Sequence, residues 1–237
     1  MKMKRRDICL YIGTALTGSL GVMKNSNAEA WVMDDGESEI TPIYTMTHTD
    51  GRDFTFVRAA FWFWEAKKSV KLSSTGSITV NGIELKGEGD SKGTFSYVGN
   101  IPLTEGELTF KLVRNPSRTM AHSFDLPKLG ILEYPASYRP HEPIRVPVKY
   151  VPPALGKTTF DMIIHTPQRA FDLVSRIQGD YLEFMPIIKL PLPAGTFEAT
   201  IFKQHRTPLR DISDASKTGW AVVSNGKKFK IEILDSK

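Results

Sequence analysis

The chain has 237 residues, a formal net charge of +5 and a single cysteine, Cys9. Five of its cationic side chains and two of its acidic ones lie in residues 1–30, so residues 31–237 carry a net charge of only +2. This near-neutral balance argues against nucleic-acid binding, which needs a clustered basic surface, and the lack of cysteine after Cys9 excludes a disulfide framework.

Residues 1–30 have the three parts of a secretory signal peptide. A basic start precedes an uncharged apolar run of 16 residues, ICLYIGTALTGSLGVM. Ala28 and Ala30 then form the small-x-small pattern that signal peptidase recognises, so we predict cleavage after Ala30. A retained membrane anchor fits less well, because a spanning helix needs about 20 apolar residues. The sequence predicts an exported protein of the periplasm or cell surface, with no transmembrane helix in the mature chain.

Beyond residue 40, short apolar runs recur with Gly, Pro, Asn or Asp between them. This spacing is typical of antiparallel sheets, and no window has a convincing helical period. The predicted strands are 42–48, 53–64, 69–72, 77–80, 83–86, 94–98, 107–114, 119–125, 144–150, 158–165, 169–175, 181–190, 196–203, 218–224 and 227–234. The sequence therefore predicts an all-β protein.

Asn81-Gly82 predicts a β-hairpin within SITVNGIELKG. A two-residue type I′ turn needs positive φ at both central residues, which Asn and Gly adopt at least cost. This turn would place Val80 opposite Ile83 and Ile78 opposite Leu85 on one face of the hairpin.

Asn225-Gly226 predicts a second hairpin by the same argument. Trp220 would lie opposite Ile231, and Val222 opposite Phe229, on a face that a second sheet must cover. The other face would be in water, and it would carry Ala221, Val223, Lys228 and Lys230. The need to cover the apolar face predicts a β-sandwich.

The segment from 126 to 153 carries seven prolines, which suit a stiff connector or an edge strand better than the middle of a sheet. We therefore predict two tandem immunoglobulin-like antiparallel β-sandwich domains, at residues 31–140 and 141–237. Seven predicted strands after residue 140 match the strand count of an immunoglobulin-like module. A single continuous sandwich formed from both halves is the alternative.

The aromatic run in FTFVRAAFWFWEAKK is the candidate partner-binding site. From Ala59 onward both faces of this predicted strand are apolar. One interpretation is a central strand that is buried on both faces. The other is that Phe61, Trp62, Phe63 and Trp64 contribute to a partner surface or a platform for sugars.

Three other segments carry weaker signals. The sequence GDSKG matches G-x-S-x-G around Ser91, but no helix follows it, so a flexible loop is the better interpretation. The run KQHRTPLR predicts a solvated loop with an anionic partner as the alternative, and its basic side chains are Lys203, His205, Arg206 and Arg210. The segment 181–195 predicts an edge strand followed by a turn, since it contains three prolines.

Neither a catalytic constellation nor a metal site emerges from the pattern. His48, His122, His141, His165 and His205 are far apart in the sequence and lack the spacing of a zinc motif. The acidic run at 34–39 does not match a calcium-binding loop and predicts a solvated arm. We predict no catalytic residues, no cofactor and no metal.

The sequence favours a non-enzymatic binding or assembly protein of the bacterial cell envelope, acting on an envelope protein or in an oligomer through sheet edges and aromatic surface. A carbohydrate-binding or carbohydrate-processing periplasmic protein is the alternative. In outline, an exported chain with two immunoglobulin-like modules also resembles the periplasmic pilus chaperones, which cap subunits by strand addition. The characteristic basic pair and strand motifs of that family are not identified in this sequence.

Overall fold

The computed structural model describes residues 31–32, 40–63, 68–90, 93–102, 106–115, 118–139, 142–149, 156–186, 192–209 and 219–235. All of their regular structure is β, which confirms the predicted all-β class. The strands are β1 (Trp31–Val32), β2 (Thr41–Thr49), β3 (Thr55–Phe63), β4 (Lys68–Lys71), β5 (Ser77–Val80), β6 (Ile83–Glu84), β7 (Lys86–Gly89), β8 (Phe95–Ile101), β9 (Glu107–Asn115), β10 (Arg118–Asp125), β11 (Ser137–Tyr138), β12 (Ile144–Pro147), β13 (Lys157–His165), β14 (Ala170–Gln178), β15 (Tyr181–Pro186), β16 (Gly195–Pro208) and β17 (Trp220–Ile233). No helix in these ranges has the length and apolar character to cross a membrane.

These strands form two sheets. The larger has the order β1-β4-β3-β2-β17-β16-β13-β14-β15-β12, with β8 on β3, β7 on β8 and β11 on β17. The smaller has the order β10-β9-β5-β6. Most neighbours are antiparallel, but β17 runs parallel to β2.

The first apolar core, core 1, lies between the smaller sheet and the β3-β2-β17 part of the larger one. Tyr44 of β2 is fully buried and stacks on Phe110 of β9, with 4.3 Å between ring centroids. Phe61 of β3 and Val223 of β17 belong to the same buried cluster. Stacking one pleated layer on another hides the apolar face of each, as the sandwich prediction requires.

The second apolar core, core 2, is lined by the larger sheet and by connecting segments that include Val148 and Leu192. Its buried residues include Tyr138 of β11, which pairs with β17 in the middle of the strand order, and Ile144 of β12, which is at one end of it. Phe160, Phe184 and Ile231 complete its centre. Because β11, beside β17, and β12, at the end of the sheet, reach the same cluster, the part of the sheet from β17 to β12 must curve around core 2.

Two long strands pass through both cores. β16 and β17 each have 14 residues and pair along their whole length. Val223 of β17 belongs to core 1, and Ile231 of the same strand belongs to core 2. The boundary at residue 140 stays a prediction, but these strands join the two cores within one sheet.

The first predicted hairpin is present. Asn81 and Gly82 adopt positive φ, 48° and 81°, and Val80 pairs with Ile83. The ribbon is short, because the chain leaves the smaller sheet at Leu85 and continues as β7 in the larger one.

The second predicted hairpin is wrong. Residues 220–233 form the single strand β17, and neither Asn225 nor Gly226 has positive φ. Asn225 instead donates from Nδ2 to the carbonyl of Pro127 at 3.1 Å. A Cβ at Gly226 would lie 2.5 Å from the ring of Phe202, so this glycine makes room for a cross-strand aromatic side chain. A strand position beside a large ring selects glycine without any turn.

Without that turn, the predicted faces of residues 220–223 are reversed. Ala221 and Val223 are buried in core 1, and Trp220 and Val222 face outward and are half-buried. With a two-residue turn, even-numbered residues would point inward before the turn and odd-numbered residues after it. In an unbroken strand, the odd-numbered residues point inward along the whole length. The prediction for the second arm holds, since Ile231 is fully buried.

The predicted edge strand at 181–195 is also wrong where the structure describes it. β15 pairs with β14 on one side and with β12 on the other. β15 is therefore an internal strand, and β12 lies beyond it.

Candidate binding surfaces

The predicted aromatic site does not stay together. Phe61 is fully buried in core 1, so its assignment to a partner surface is wrong. Phe63 is half-buried and packs against the same core. Trp62 points to the opposite face, because successive side chains alternate along a strand. Trp64 lies outside the described residues.

Trp62 instead shares the outward face of the sheet with a tryptophan that the sequence analysis had assigned to the core. Trp220 of β17 lies opposite Ile43, and Trp62 lies opposite Thr41 on the same strand, β2. Arg58 and Arg206 face the same way. We call Arg58, Trp62, Arg206 and Trp220 the tryptophan face. The sequence analysis missed this face because it assigned the wrong side of the strand to residues 220–223.

The charges of the tryptophan face come from one cross-strand row. Arg58 lies opposite Thr45, Thr45 opposite Val222, and Val222 opposite Arg206. The Arg206 guanidinium carbon lies 4.7 Å from the centroid of the Trp220 ring, which is cation–π geometry. Arg58 Nε is covered, yet no acceptor for it exists among the described residues. The face therefore combines large aromatic surface with guanidinium donors.

The basic run at 203–210 was predicted as a loop, and that prediction is wrong for residues 203–208, which belong to β16. Lys203 is buried, and its ammonium donates to the carbonyl of Lys128 at 2.7 Å, fastening the segment that passes between the two cores. Burial lowers the pKa of Lys203, and burial together with Lys203 lowers that of His205. Arg206 alone of these three faces outward, and Arg210 lies outside the described residues.

The smaller sheet ends in an edge strand, β10. It pairs with β9 on one side, and the described ranges contain no strand on its other side. Its inward face is anchored: Met120 is buried, and His122 Nδ1 lies 3.3 Å from the hydroxyl of Tyr44. Burial raises the pKa of Tyr44 and lowers that of His122, so both side chains are neutral near pH 7. These contacts attach the edge strand to core 1.

The remaining candidates give no site. Ser91 and His141, the acidic run at 34–39, and Ala28 and Ala30 of the predicted cleavage site lie outside the described residues. Within the described ranges, no group of three His, Cys, Asp or Glu side chains is placed to hold a metal ion.

Comparison with known proteins identifies no family. No family model matches the chain, and no curated protein does. Among solved structures, it is similar to the titin domains Z1Z2 in complex with telethonin, at 12% identity and TM-score 0.23, over 85% of this chain and 100% of that one. It is also similar to a chimeric titin Z1Z2 carrying a peptide from decorin, at 10% identity and TM-score 0.22, over 85% and 100%.

A third similar structure is SGBP-B of the Bacteroides ovatus mixed-linkage glucan utilization locus in complex with a mixed-linkage heptasaccharide, at 9% identity and TM-score 0.21, over 89% and 70%. Scores of this size carry no argument about what this chain binds. The function is therefore argued from its own residues.

Proposed function

We propose that the chain is an exported, non-enzymatic binding or assembly protein of the bacterial cell envelope that engages a protein partner through the open edge of β10. Export rests on the signal-peptide pattern of residues 1–30. The open edge is the observation that carries the proposal, because the outer side of an edge strand presents a row of backbone donors and acceptors to another chain.

Between Thr119 and Asp125, the edge has little of the usual protection against such pairing. From Thr119 to Asp125 it contains neither proline nor lysine, and its register with β9 is regular throughout. Natural proteins usually block exposed edges with these residues or with bulges. The one irregularity, between Arg118 and Thr119, lies at the very start of the strand. A partner strand could therefore add along seven consecutive residues.

A charge at the centre of β10 tests the proposal. Ala121 is exposed, so Ala121→Lys blunts the edge, and Ala121→Ser is the matched control. Lys111 lies opposite Ala121, so the thermal unfolding of Ala121→Lys is measured first to show that the variant is folded. A photoreactive amino acid at Thr119 should crosslink in living cells to a discrete envelope protein. The same group at Lys111, an exposed position of the internal strand β9, should not.

Crosslinking from Thr119 should be lost with Ala121→Lys and kept with Ala121→Ser. The proposal fails if position 119 gives no specific product, or if Ala121→Lys leaves the product unchanged. A chaperone-like protein that lends a strand to subunits would use the same edge, and its crosslinked product would be a subunit that disappears from the complex after assembly.

Carbohydrate binding is the second candidate, and the tryptophan face favours it. Half-buried Trp62 and Trp220 on an open sheet, beside Arg58 and Arg206, offer ring surface and hydrogen-bond donors to a sugar. Titration of tryptophan fluorescence with cell-wall glycans should then show a saturable change that Trp220→Ala abolishes. A flat response would count against this candidate and would leave the β10 proposal intact.

A further inference from the structure

A second surface lies at the other end of the larger sheet, on its outward face. Arg145 of β12, Glu183 of β15 and Arg176 of β14 are cross-strand neighbours, and we call them the arginine row. Arg145 Nε donates to Glu183 Oε1 at 3.0 Å, and Arg176 Nε donates to Glu183 Oε2 at 2.7 Å. The Glu183 side chain is 2% exposed, whereas those of Arg145 and Arg176 are 66% and 62% exposed.

The arginine row leaves unused charge and unused donors. One carboxylate neutralises only one of the two guanidinium groups, and a guanidinium has five N–H donors. Among the described residues, neither arginine has another acceptor. Glu183 lies beneath both side chains and fixes their positions, so they are preorganised for an anion that approaches from solvent.

Apolar side chains flank the arginine row on both sides along the strands. On one side lie Tyr181 and Leu132, which are 50% and 69% exposed. Pro147 lies between them: it pairs with Tyr181, and its carbonyl accepts a hydrogen bond from the N–H of Leu132. On the other side, Met185 and Val174 pair directly and are 42% and 48% exposed.

The spacing of these three rows defines the shape of a matching partner. Tyr181, Glu183 and Met185 are successive outward residues of β15, so neighbouring rows are about 7 Å apart, the two-residue repeat of a strand. An extended partner segment shows the same repeat on each of its faces. We infer that this surface docks the face of an extended segment of another protein, with an acidic side chain on the arginine row and apolar side chains two residues before and after it.

Charge decides between this partner and its rivals. A second copy of the chain that used both apolar rows would place one arginine row against another. Lipid-binding basic patches contain about four to eight Lys or Arg residues, and this row has two. Beyond Val174 the surface is acidic, because Asp161 lies opposite Val174 on the next strand. Asp172 is near Asp161: burial is the main cause that raises the pKa of Asp161, and the charge of Asp172 raises it as well. On this side, the cationic character thus ends with the arginine row.

Selection from a phage-displayed library of β-hairpins, randomised on one face, tests the inference with the full mature chain as the target. The selected hairpins should be enriched in the pattern apolar-x-acidic-x-apolar. Affinity of a selected hairpin should fall at least tenfold with Arg145→Gln/Arg176→Gln, and likewise with Tyr181→Ser/Met185→Thr, which leaves the ion pairs intact. Ile83→Thr, an exposed apolar position of the smaller sheet, is the matched control and should change nothing.

The inference is overturned if the pattern is not enriched, or if both double variants bind the selected hairpins like the unsubstituted chain. Binding to vesicles of phosphatidylglycerol and phosphatidylcholine that the arginine variant abolishes would also overturn it, in favour of a lipid surface. None of these results depends on β10, so they leave the proposed function to be judged by its own crosslinking test.

Discussion

Truncating a side chain in core 2 should destabilise core 1 as well, because β16 and β17 run through both. Phe184 is fully buried in core 2, and its replacement by alanine should cost about 3–5 kcal/mol. Trp62 of β3 and Trp220, the first residue of β17, both lie on the tryptophan face at the core 1 end of the molecule, so their fluorescence reports on that end. A fluorescence transition that responds to Phe184→Ala therefore measures coupling between the cores.

The expected shift follows from the slope of unfolding in guanidinium chloride. For a slope of about 4 kcal/mol/M, a loss of 3–5 kcal/mol lowers the midpoint by about 1 M. Val174→Ala, on the exposed face of the same sheet, is the control and should shift the midpoint by about 0.1 M. If Phe184→Ala leaves the tryptophan midpoint unchanged and circular dichroism resolves a separate earlier transition, the cores unfold independently and the reasoning is refuted.

Three further substitutions probe individual contacts. Gly226→Ala should destabilise the chain, because the new Cβ collides with the Phe202 ring, and adding Phe202→Ala should remove part of that destabilisation. If the two effects on the thermal unfolding temperature simply add, the Gly226–Phe202 contact is contradicted. Burial lowers the pKa of His122, so the unfolded chain binds a proton more readily than the folded chain, and stability should fall as pH drops below about 6.5. His122→Gln should make the urea midpoint less sensitive to pH in this range. The Arg176 hydrogen bond is the main cause that lowers the pKa of Glu183, so the ion pair stabilises the fold above about pH 4.5 and loses this effect at lower pH. Glu183→Gln should therefore make the urea midpoint less sensitive to pH between about pH 5 and pH 3. An unchanged pH dependence of the midpoint would count against the pairing.

The strands were largely predictable because their signal is local. Alternation and turn residues are enough to place β5 and β9 within one residue of their observed bounds. The Asn81-Gly82 turn was predictable for the same reason, since φ depends on the two residues themselves. Segments of four to nine residues with a clear period carry this information without reference to the rest of the fold.

The path of β17 was not predictable, because its cause lies elsewhere in the chain. Asn225 and Gly226 have the residue types of a turn, but Gly226 is selected by the ring of Phe202 and Asn225 by the carbonyl of Pro127. Both partners are distant in sequence, and a single chain gives no sign of them. The tryptophan face was missed with it, since Trp220 reaches that face only when the strand continues.

The arginine row was not predictable either, because it also depends on contacts between residues distant in sequence. Arg145, Arg176 and Glu183 are separated by up to 38 residues and meet only because β15 lies between β12 and β14. The sequence analysis placed residues 181–195 at an edge, which removed one of the two neighbours that bring the arginines together. Its proline argument does not apply to the first four residues of the segment, which pair on both sides.

Nuclear Overhauser effects across β17 test the central structural claim most directly, because the tryptophan face and the union of the two cores both require an unbroken strand from Trp220 to Ile233. We predict cross-strand contacts of Ser224 with Gln204 on one side and Thr47 on the other. Contacts of Ser224 with Lys227 and of Val222 with Phe229 would instead indicate a hairpin at Asn225-Gly226, and would contradict the account.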